Sequence, residues 1–159
     1  MATSDPKVLL KRLLEEPAEC TWLEFKHNNS NVDEIGRCVS ACANAAILAE
    51  RDRAFIVWGI ENRTKRRIGT TVRLGELKKG GENFQNWISR VVEPHLMMEF
   101  LDFDERGKTF AILVMEPTYD RPVKFGGTEY IRIGENVRKL SEFQEHERAL
   151  WLATGRRKF

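Results

Sequence analysis

The sequence is poor in cysteine: its 159 residues include three, at Cys20, Cys38 and Cys42. The number is odd, no CxxC pair occurs and the three histidines are scattered, so the sequence indicates neither a disulfide framework nor a zinc site. Cys38 and Cys42 lie four residues apart in an apolar helical pattern, which predicts two small core side chains. We therefore expect a protein of the reducing cytoplasm.

Long apolar segments are also missing. No apolar run approaches the roughly 20 residues that span a bilayer, and residues 1–6 lack the basic-then-apolar order of a signal peptide. Neither secretion nor a membrane partner is expected. The phosphate-binding pattern GxxxxGK[ST] does not occur either, and the glycine pairs at 80–81 and 126–127 do not open predicted helices.

The composition that remains is that of an ordinary folded domain, with 42% hydrophobic and 31% charged residues. A chain of this length buries enough surface for one core without disulfides. We expect residues 1–159 to form a single domain. Because the chain ends on an aromatic residue directly after a basic cluster, we interpret it as the N-terminal part of a longer protein.

The net charge of +2 is too small to identify a polyanion partner, but the distribution of charge is uneven. Residues 1–60 carry seven Lys and Arg against nine Asp and Glu, whereas residues 61–159 carry nineteen against fifteen. Two short stretches are strongly basic, at 63–67 and 156–158. Both can contact phosphates, and a solvated charged surface is the alternative interpretation.

Hydrophobic periodicity predicts an α/β (α+β) fold in which helices flank a mixed sheet. Helices are predicted at 7–16, at 82–92, at 142–152 after a Ser141 cap, and from Asn31 or Asp33 through an apolar stripe that ends at Ala46. Strands are predicted at 22–26, 55–60, 67–72, 97–103, 109–115 and 129–133. The run FIVWGI at 55–60 is almost entirely apolar, which is typical of a central strand that is buried on both faces.

Three glutamates are placed where they can coordinate a hard metal ion. Glu19 precedes the first predicted strand, Glu24 lies within it, and Glu61 directly follows the apolar strand at 55–60. If these two strands are neighbours, Glu24 and Glu61 can converge on a divalent cation, which prefers oxygen ligands. Lys26 shares the strand face of Glu24. This arrangement suits a phosphodiester substrate, and solvated glutamates with an exposed salt bridge are the alternative.

A second group of polar residues surrounds the last predicted strand. Arg132 alternates with Ile131 and Ile133, so its guanidinium is expected on the face opposite to these apolar residues, where it can bind phosphate in a bidentate way. Arg138 and Lys139 are expected to extend this basic face, Lys124 to join them, and Tyr130 to stack on an unpaired base. Asn44 would be unusual on the buried stripe of its helix, so it is expected to bond the backbone of a neighbouring strand or, alternatively, to orient a carboxylate. A plain surface strand is the alternative for the whole group.

Five segments occur in an order that resembles a known family: WLEFK (22–26), DEIGRCVSACANAA (33–46), VWGIEN (57–62), IGT (68–70) and YIRIGENVRKL (130–140). Together they are similar to the Schlafen-type AlbA-like domain over about residues 15–151. In nuclease members of this family, the resemblance implies a three-carboxylate site and metal-dependent endoribonuclease cleavage of structured RNA such as tRNA. The matching positions are Glu19, Glu24 and Glu61, which would act with Mg²⁺ or Mn²⁺.

The sequence departs from the nuclease members at Asn62, where they have a second acidic residue. A non-catalytic DNA- or RNA-binding regulatory module is therefore the alternative function, and ATP binding comes third because no P-loop occurs. The expected partner is a nucleic acid, RNA rather than DNA, and a homo-oligomer is left open. The residues predicted to bind it are Lys26, Arg63, Lys65, Arg66, Lys124, Tyr130, Arg132, Arg138 and Lys139.

Overall fold

The computed structural model describes residues 5–17 and 20–155. These residues form four α-helices: α1 (Pro6–Leu13), α2 (Val32–Leu48), α3 (Phe84–Val91) and α4 (Gln144–Ala153). The strands, in chain order, are β1 (Leu23–Lys26), β2 (Ala54–Trp58), β3 (Lys78–Lys79), β4 (Glu82–Asn83), β5 (Val92–Glu93), β6 (Met97–Glu105), β7 (Lys108–Glu116), β8 (Lys124–Phe125), β9 (Thr128–Ile133) and β10 (Asn136–Lys139). The predicted α+β class with a mixed sheet is confirmed.

The first sheet has the strand order β1-β2-β7-β6. β2 runs parallel to β1, with Leu23 opposite Phe55, and antiparallel to β7, which in turn pairs with all nine residues of β6. Every residue of β2 is buried, as predicted for the apolar run. The strand ends where Gly59 adopts a φ of 105°, and a Cβ there would lie 2.7 Å from the Phe110 ring.

The second sheet is antiparallel, with the order β10-β9-β8-β5, and β3 and β4 form a separate short hairpin. α2 lies between the two sheets, since it packs against β2 and β7 of the first and against β8, β9 and β10 of the second. This position explains its small residues. A Cβ on Gly36 would lie 2.2 Å from the Phe125 ring, so the helix could not approach the second sheet with a larger side chain there.

Polar side chains cap the N-termini of three of the helices. Asp5, Asn31 and Asn83 each accept a hydrogen bond from a backbone N–H group of the first turn, of α1, α2 and α3 respectively. The predicted cap at Asn31 is confirmed. None of the described helices is long and apolar enough to cross a membrane.

Two buried polar residues of α2 fasten the helix to the second sheet. Asn44 donates to the carbonyls of Val123 (3.0 Å) and Tyr130 (2.8 Å), and it accepts from the Val123 N–H at 2.7 Å. Ser40 donates to the same Val123 carbonyl and accepts from the Tyr130 N–H. The predicted bonding of Asn44 to strand backbone is confirmed, whereas the role of Ser40 was not predicted.

Two local predictions were wrong, and one strand was missed. Residues 67–72 form no strand beyond the bridge between Arg67 and Ile60, because the N–H groups of residues 68–70 bond the carbonyls of Gly59 and of Thr109 in β7. Ser141 does not cap α4, since it lies inside a short 3₁₀ helix, Leu140–Glu142, which precedes that helix. β10 was missed because its residues alternate too weakly for a strand prediction.

Candidate nucleic-acid interface

Glu24 lies between two cations beside the edge strand β1. Its Oε2 atom is 3.3 Å from Lys26 Nζ, and its Oε1 atom is 3.4 Å from Arg132 Nε on β9. The exposed fractions of the side chains are 18% for Glu24, 11% for Lys26 and 7% for Arg132. The predicted common surface of Glu24 and Lys26 is thus observed, but it is mostly covered. We call these three residues the buried charge cluster.

The strand alternation predicted that Arg132 presents its guanidinium to solvent. In the structure it does not. Its Nη1 atom donates to the Leu23 carbonyl at 2.6 Å. β1 is the edge strand of its sheet, so its outward carbonyls need a donor from outside the sheet, and Arg132 supplies one. The pKa of Arg132 is raised: burial acts to lower it, but the nearby Cys42, Glu24 and Cys38 outweigh burial. The Arg132 side chain is therefore charged, and it connects β9 to β1 in the interior of the protein.

The cysteines adjoin this cluster and are ordinary core thiols. Cys38 and Cys42 are buried, with 3.7 Å between their Sγ atoms. The hydrogen bond to Cys42, together with burial, raises the pKa of Cys38 well above its ordinary value. Burial likewise raises the pKa of the half-buried Cys20 to about 11. Cys20 and Cys38 therefore stay protonated at neutral pH, and the predicted core role of Cys38 and Cys42 is confirmed.

Glu61 belongs to a separate group of charges. Its Oε1 atom accepts from Thr64 Oγ1 at 2.5 Å and lies 3.4 Å from Arg66 Nε. Lys65, which was predicted to bind nucleic acid, donates to the Glu16 carbonyl instead and has a φ of 60°. β1 and β2 are neighbours, as the carboxylate hypothesis required. However, Glu24 pairs in register with Ile56 inside β2, whereas Glu61 lies beyond the end of that strand.

The described residues do not fit Mg²⁺ or Mn²⁺ by themselves. Within 5–17 and 20–155, no group of three or more His, Cys, Asp or Glu side chains is arranged to hold a metal ion. Glu24 is already paired with two cations, and Glu61 is paired with Arg66. Glu19, the third predicted ligand, lies outside the described residues.

Two basic segments far apart in the chain are joined at the surface. Asn62 Nδ2 donates to Glu135 Oε1 at 2.6 Å, which connects the loop after β2 to the turn between β9 and β10. The loop carries Arg63 and Arg66, and the hairpin carries Arg138 and Lys139; all four side chains are exposed. We call these four residues the joined basic surface; within it, Arg138 and Lys139 point to opposite faces of β10, which is the edge strand of the second sheet. The sequence identified all four, but no spacing signal indicated the contact between Asn62 and Glu135.

The hairpin register separates residues that had been placed on one face. Lys139 lies opposite Tyr130, so these two side chains share the face of Arg132, while Arg138 lies opposite the buried Ile131. Adjacent residues of a strand point to opposite faces, so Arg138 lies on the face opposite to that of Lys139 and Arg132. Arg138 therefore does not extend the face of Arg132, in contrast to the prediction. Arg138 instead donates to Glu142 Oε1 at 2.8 Å.

Lys124 and Tyr130 complete the predicted set. Lys124 is half-buried on β8, where it pairs in register with Glu129. Tyr130 is also half-buried, and its backbone is held by Ser40 and Asn44 of α2. Both residues therefore lie on strands that α2 packs against.

A crystal structure of the DIP2311 protein from Corynebacterium diphtheriae is similar in fold, with a TM-score of 0.55 and 16% sequence identity. The likeness covers 91% of this chain and 28% of that one, so this chain spans less than a third of that protein. No similar protein was found among curated proteins. The family model described as Schlafen, AlbA_2 matches residues 19–141, which confirms the predicted resemblance. The chain belongs to the Schlafen AlbA_2 family.

Proposed function

We propose that this domain binds nucleic acid, RNA in preference to DNA, through the joined basic surface. The observation that carries the proposal is the hydrogen bond from Asn62 to Glu135, which holds two basic segments about 70 residues apart in the chain against each other. Clustered guanidinium and ammonium groups are the groups that bind phosphates in proteins. Membership of the Schlafen AlbA_2 family supports a nucleic-acid-binding role.

The cations of this surface can exchange their present partners for phosphate at little cost. Arg66 pairs with Glu61 while its side chain is 72% exposed, and Arg138 pairs with Glu142 while it is 51% exposed. Exposed ion pairs of this kind contribute little to stability. Tyr130 lies beside Lys139 and offers an aromatic ring for an unpaired base, which favours single-stranded or looped RNA.

The double substitution Arg63→Ala with Lys139→Ala tests this proposal. Each lost phosphate contact lowers the slope of log affinity against log salt by about 0.7 on single strands, so the double variant should lose about 1.4. Titrations of labelled single-stranded RNA, transfer RNA and duplex DNA at several salt concentrations measure the slope. Lys7→Ala, an exposed lysine of α1, is the matched control. An unchanged slope in the double variant would remove the joined basic surface from the binding site.

A second candidate function is endoribonuclease cleavage of structured RNA such as tRNA with Mg²⁺ or Mn²⁺. The observation in its favour concerns Glu24 Oε1, a buried atom on a parallel pair of strands that lies 3.4 Å from Arg132 Nε but forms no hydrogen bond with the described part of the chain. Glu24 and Glu61 are paired with different cations and do not form a metal site, so this proposal requires both to leave these cations and to converge with Glu19.

Cleavage is tested with Glu61→Gln, because Glu61 is exposed enough for the variant to fold. Labelled tRNA with Mn²⁺ should be cut by the wild-type protein and by Glu145→Gln, an exposed control on α4, and at least about a hundredfold more slowly by Glu61→Gln. Equal breakdown by wild type and Glu61→Gln would assign the activity to a contaminant. Absence of breakdown would leave a binding module.

A further inference from the structure

A cavity of about 350 Å³ lies at the other end of β1 and β2 from Glu61. It is bordered by α1, by Trp22 before β1, and by the turn between α2 and β2. Its volume is in the range of small-molecule sites. Glu16 lines this cavity, and its carbonyl also accepts from Lys65 of the loop after β2. Glu16 thus connects the cavity to the loop after β2.

Two arginines of the cavity are stacked on aromatic rings. Arg51 Cζ lies 4.3 Å from the centroid of the Trp22 ring, and Arg53 Cζ lies 5.4 Å from that of Phe55. The two rings are in turn 6.1 Å apart. Trp22 and Phe55 are buried, whereas Arg51 is exposed. The aromatic pair therefore supports a flat guanidinium whose outer surface is open.

The turn that carries Arg51 is held by its backbone. The Arg51 N–H bonds the Ala46 carbonyl at 2.8 Å, and the Arg51 carbonyl accepts from the Tyr119 hydroxyl at 2.8 Å. The preceding Glu50 has a φ of 56°, which turns the chain sharply at the end of α2. The backbone of Arg51 is thus fixed and its guanidinium lies against the Trp22 ring, so less conformational entropy is lost when a planar ring stacks on it.

The charges in the cavity decide what kind of ligand fits. Three arginines line it, and so do three carboxylates: Arg12, Arg51, Arg53, Glu16, Glu50 and Asp52. The formal charge is thus zero, so a bare inorganic anion gains little there. A ligand that combines a planar ring with a phosphate and hydroxyl donors can use all of these groups, because carboxylates only accept hydrogen bonds.

We propose that this cavity is a stacking subsite for one unpaired base of RNA, which lies on the outer surface of Arg51. Arg12 contacts the adjacent phosphate, and the carboxylates accept hydrogen bonds from the ribose hydroxyls. DNA lacks the 2′-hydroxyl and offers fewer of these donors. The inference rests on the proposed nucleic-acid binding and adds a second contact site at the opposite end of β1. It assigns a role to Arg51 that depends on the planarity of its side chain and not on its charge.

The test compares two short single-stranded RNAs, one with all its bases and one with an abasic position that keeps every phosphate. The wild-type protein should bind the complete RNA about tenfold more tightly, since stacking of one base contributes on that order. Arg51→Lys keeps the charge but loses the plane, so it should abolish the preference. Arg106→Lys, at the β6–β7 turn on the far side of the first sheet, should retain it.

A second measurement uses adenosine monophosphate and inorganic phosphate, with tryptophan fluorescence as the signal. The nucleotide should change the fluorescence of the wild type but not of Arg51→Lys, and phosphate should change neither. A wild type that binds both RNAs equally, or a fluorescence response that survives in Arg51→Lys, would overturn the subsite. If the base preference depends on Arg51 while Arg63→Ala with Lys139→Ala has no effect, the subsite stands and the joined basic surface fails.

Discussion

Arg132 and Arg138 lie on paired strands of one hairpin and have opposite environments. Arg132 is 7% exposed, forms an ion pair with Glu24 and donates to the carbonyl of an edge strand, whereas Arg138 is 51% exposed and donates to a carboxylate on its own surface. The residue type and the hairpin are the same in both cases. What differs is the neighbour: Arg132 faces β1, whose outward carbonyls require donors. The environment of a cationic side chain on a strand thus depends on the sheet that lies next to it.

The same contrast separates the buried charge cluster from the joined basic surface. In the cluster, charges have been removed from water and depend on one another, so loss of one partner leaves the others uncompensated. On the surface, water and salt already screen each charge, so a cation can leave its carboxylate for a phosphate. We therefore expect substitutions in the cluster to reduce stability and substitutions on the surface to reduce binding.

The largest effect is expected for Arg132→Met, which keeps an unbranched apolar stem but removes the charge and the donors of the side chain. Glu24 would lose one of two cations, and the Leu23 carbonyl would lose its 2.6 Å donor. We expect the free energy of unfolding to fall by about 3 kcal/mol. This value is at the lower end of the range for a broken buried ion pair, because Lys26 remains beside Glu24. Urea denaturation monitored by circular dichroism measures the change.

The double variant Glu24→Gln with Arg132→Met sharpens this comparison. If the cost arises from an uncompensated carboxylate, removal of that charge should recover about 1 kcal/mol or more, which a double-mutant cycle detects. A cycle in which the two losses simply add would show that the two side chains are not coupled. The cost of Arg132→Met would then come from the lost hydrogen bond to Leu23.

The central elements were predictable from the sequence because their signals are local. The run at 55–60 is apolar at nearly every position, which is typical of a strand buried on both faces, and β2 has this burial. The small residues of α2 indicated close packing. The sequence could not show that α2 is covered by two different sheets, because the strands of the second sheet are short and weakly patterned.

Asn44 is an intermediate case. A polar residue on an apolar helical stripe implies buried hydrogen-bond partners, so its bonding to strand backbone could be predicted. Its actual partners, Val123 and Tyr130, are 79 and 86 residues away and could not be identified from spacing. The candidate site was harder to predict for the same reason. The bond between Asn62 and Glu135, and the burial of Arg132 against β1, both depend on contacts between distant segments.

The smallest effect on stability is expected for Arg138→Ala. Its bond to Glu142 links two residues that are each about half exposed, so the free energy of unfolding should change by less than about 0.5 kcal/mol. Affinity for RNA should nevertheless fall, by about threefold to tenfold at physiological salt, because one phosphate contact is lost. Urea denaturation and RNA titration of the same preparation measure both quantities. A loss of stability as large as that of Arg132→Met would mean that Arg138, too, supports the fold, and the contrast between the two arginines would disappear.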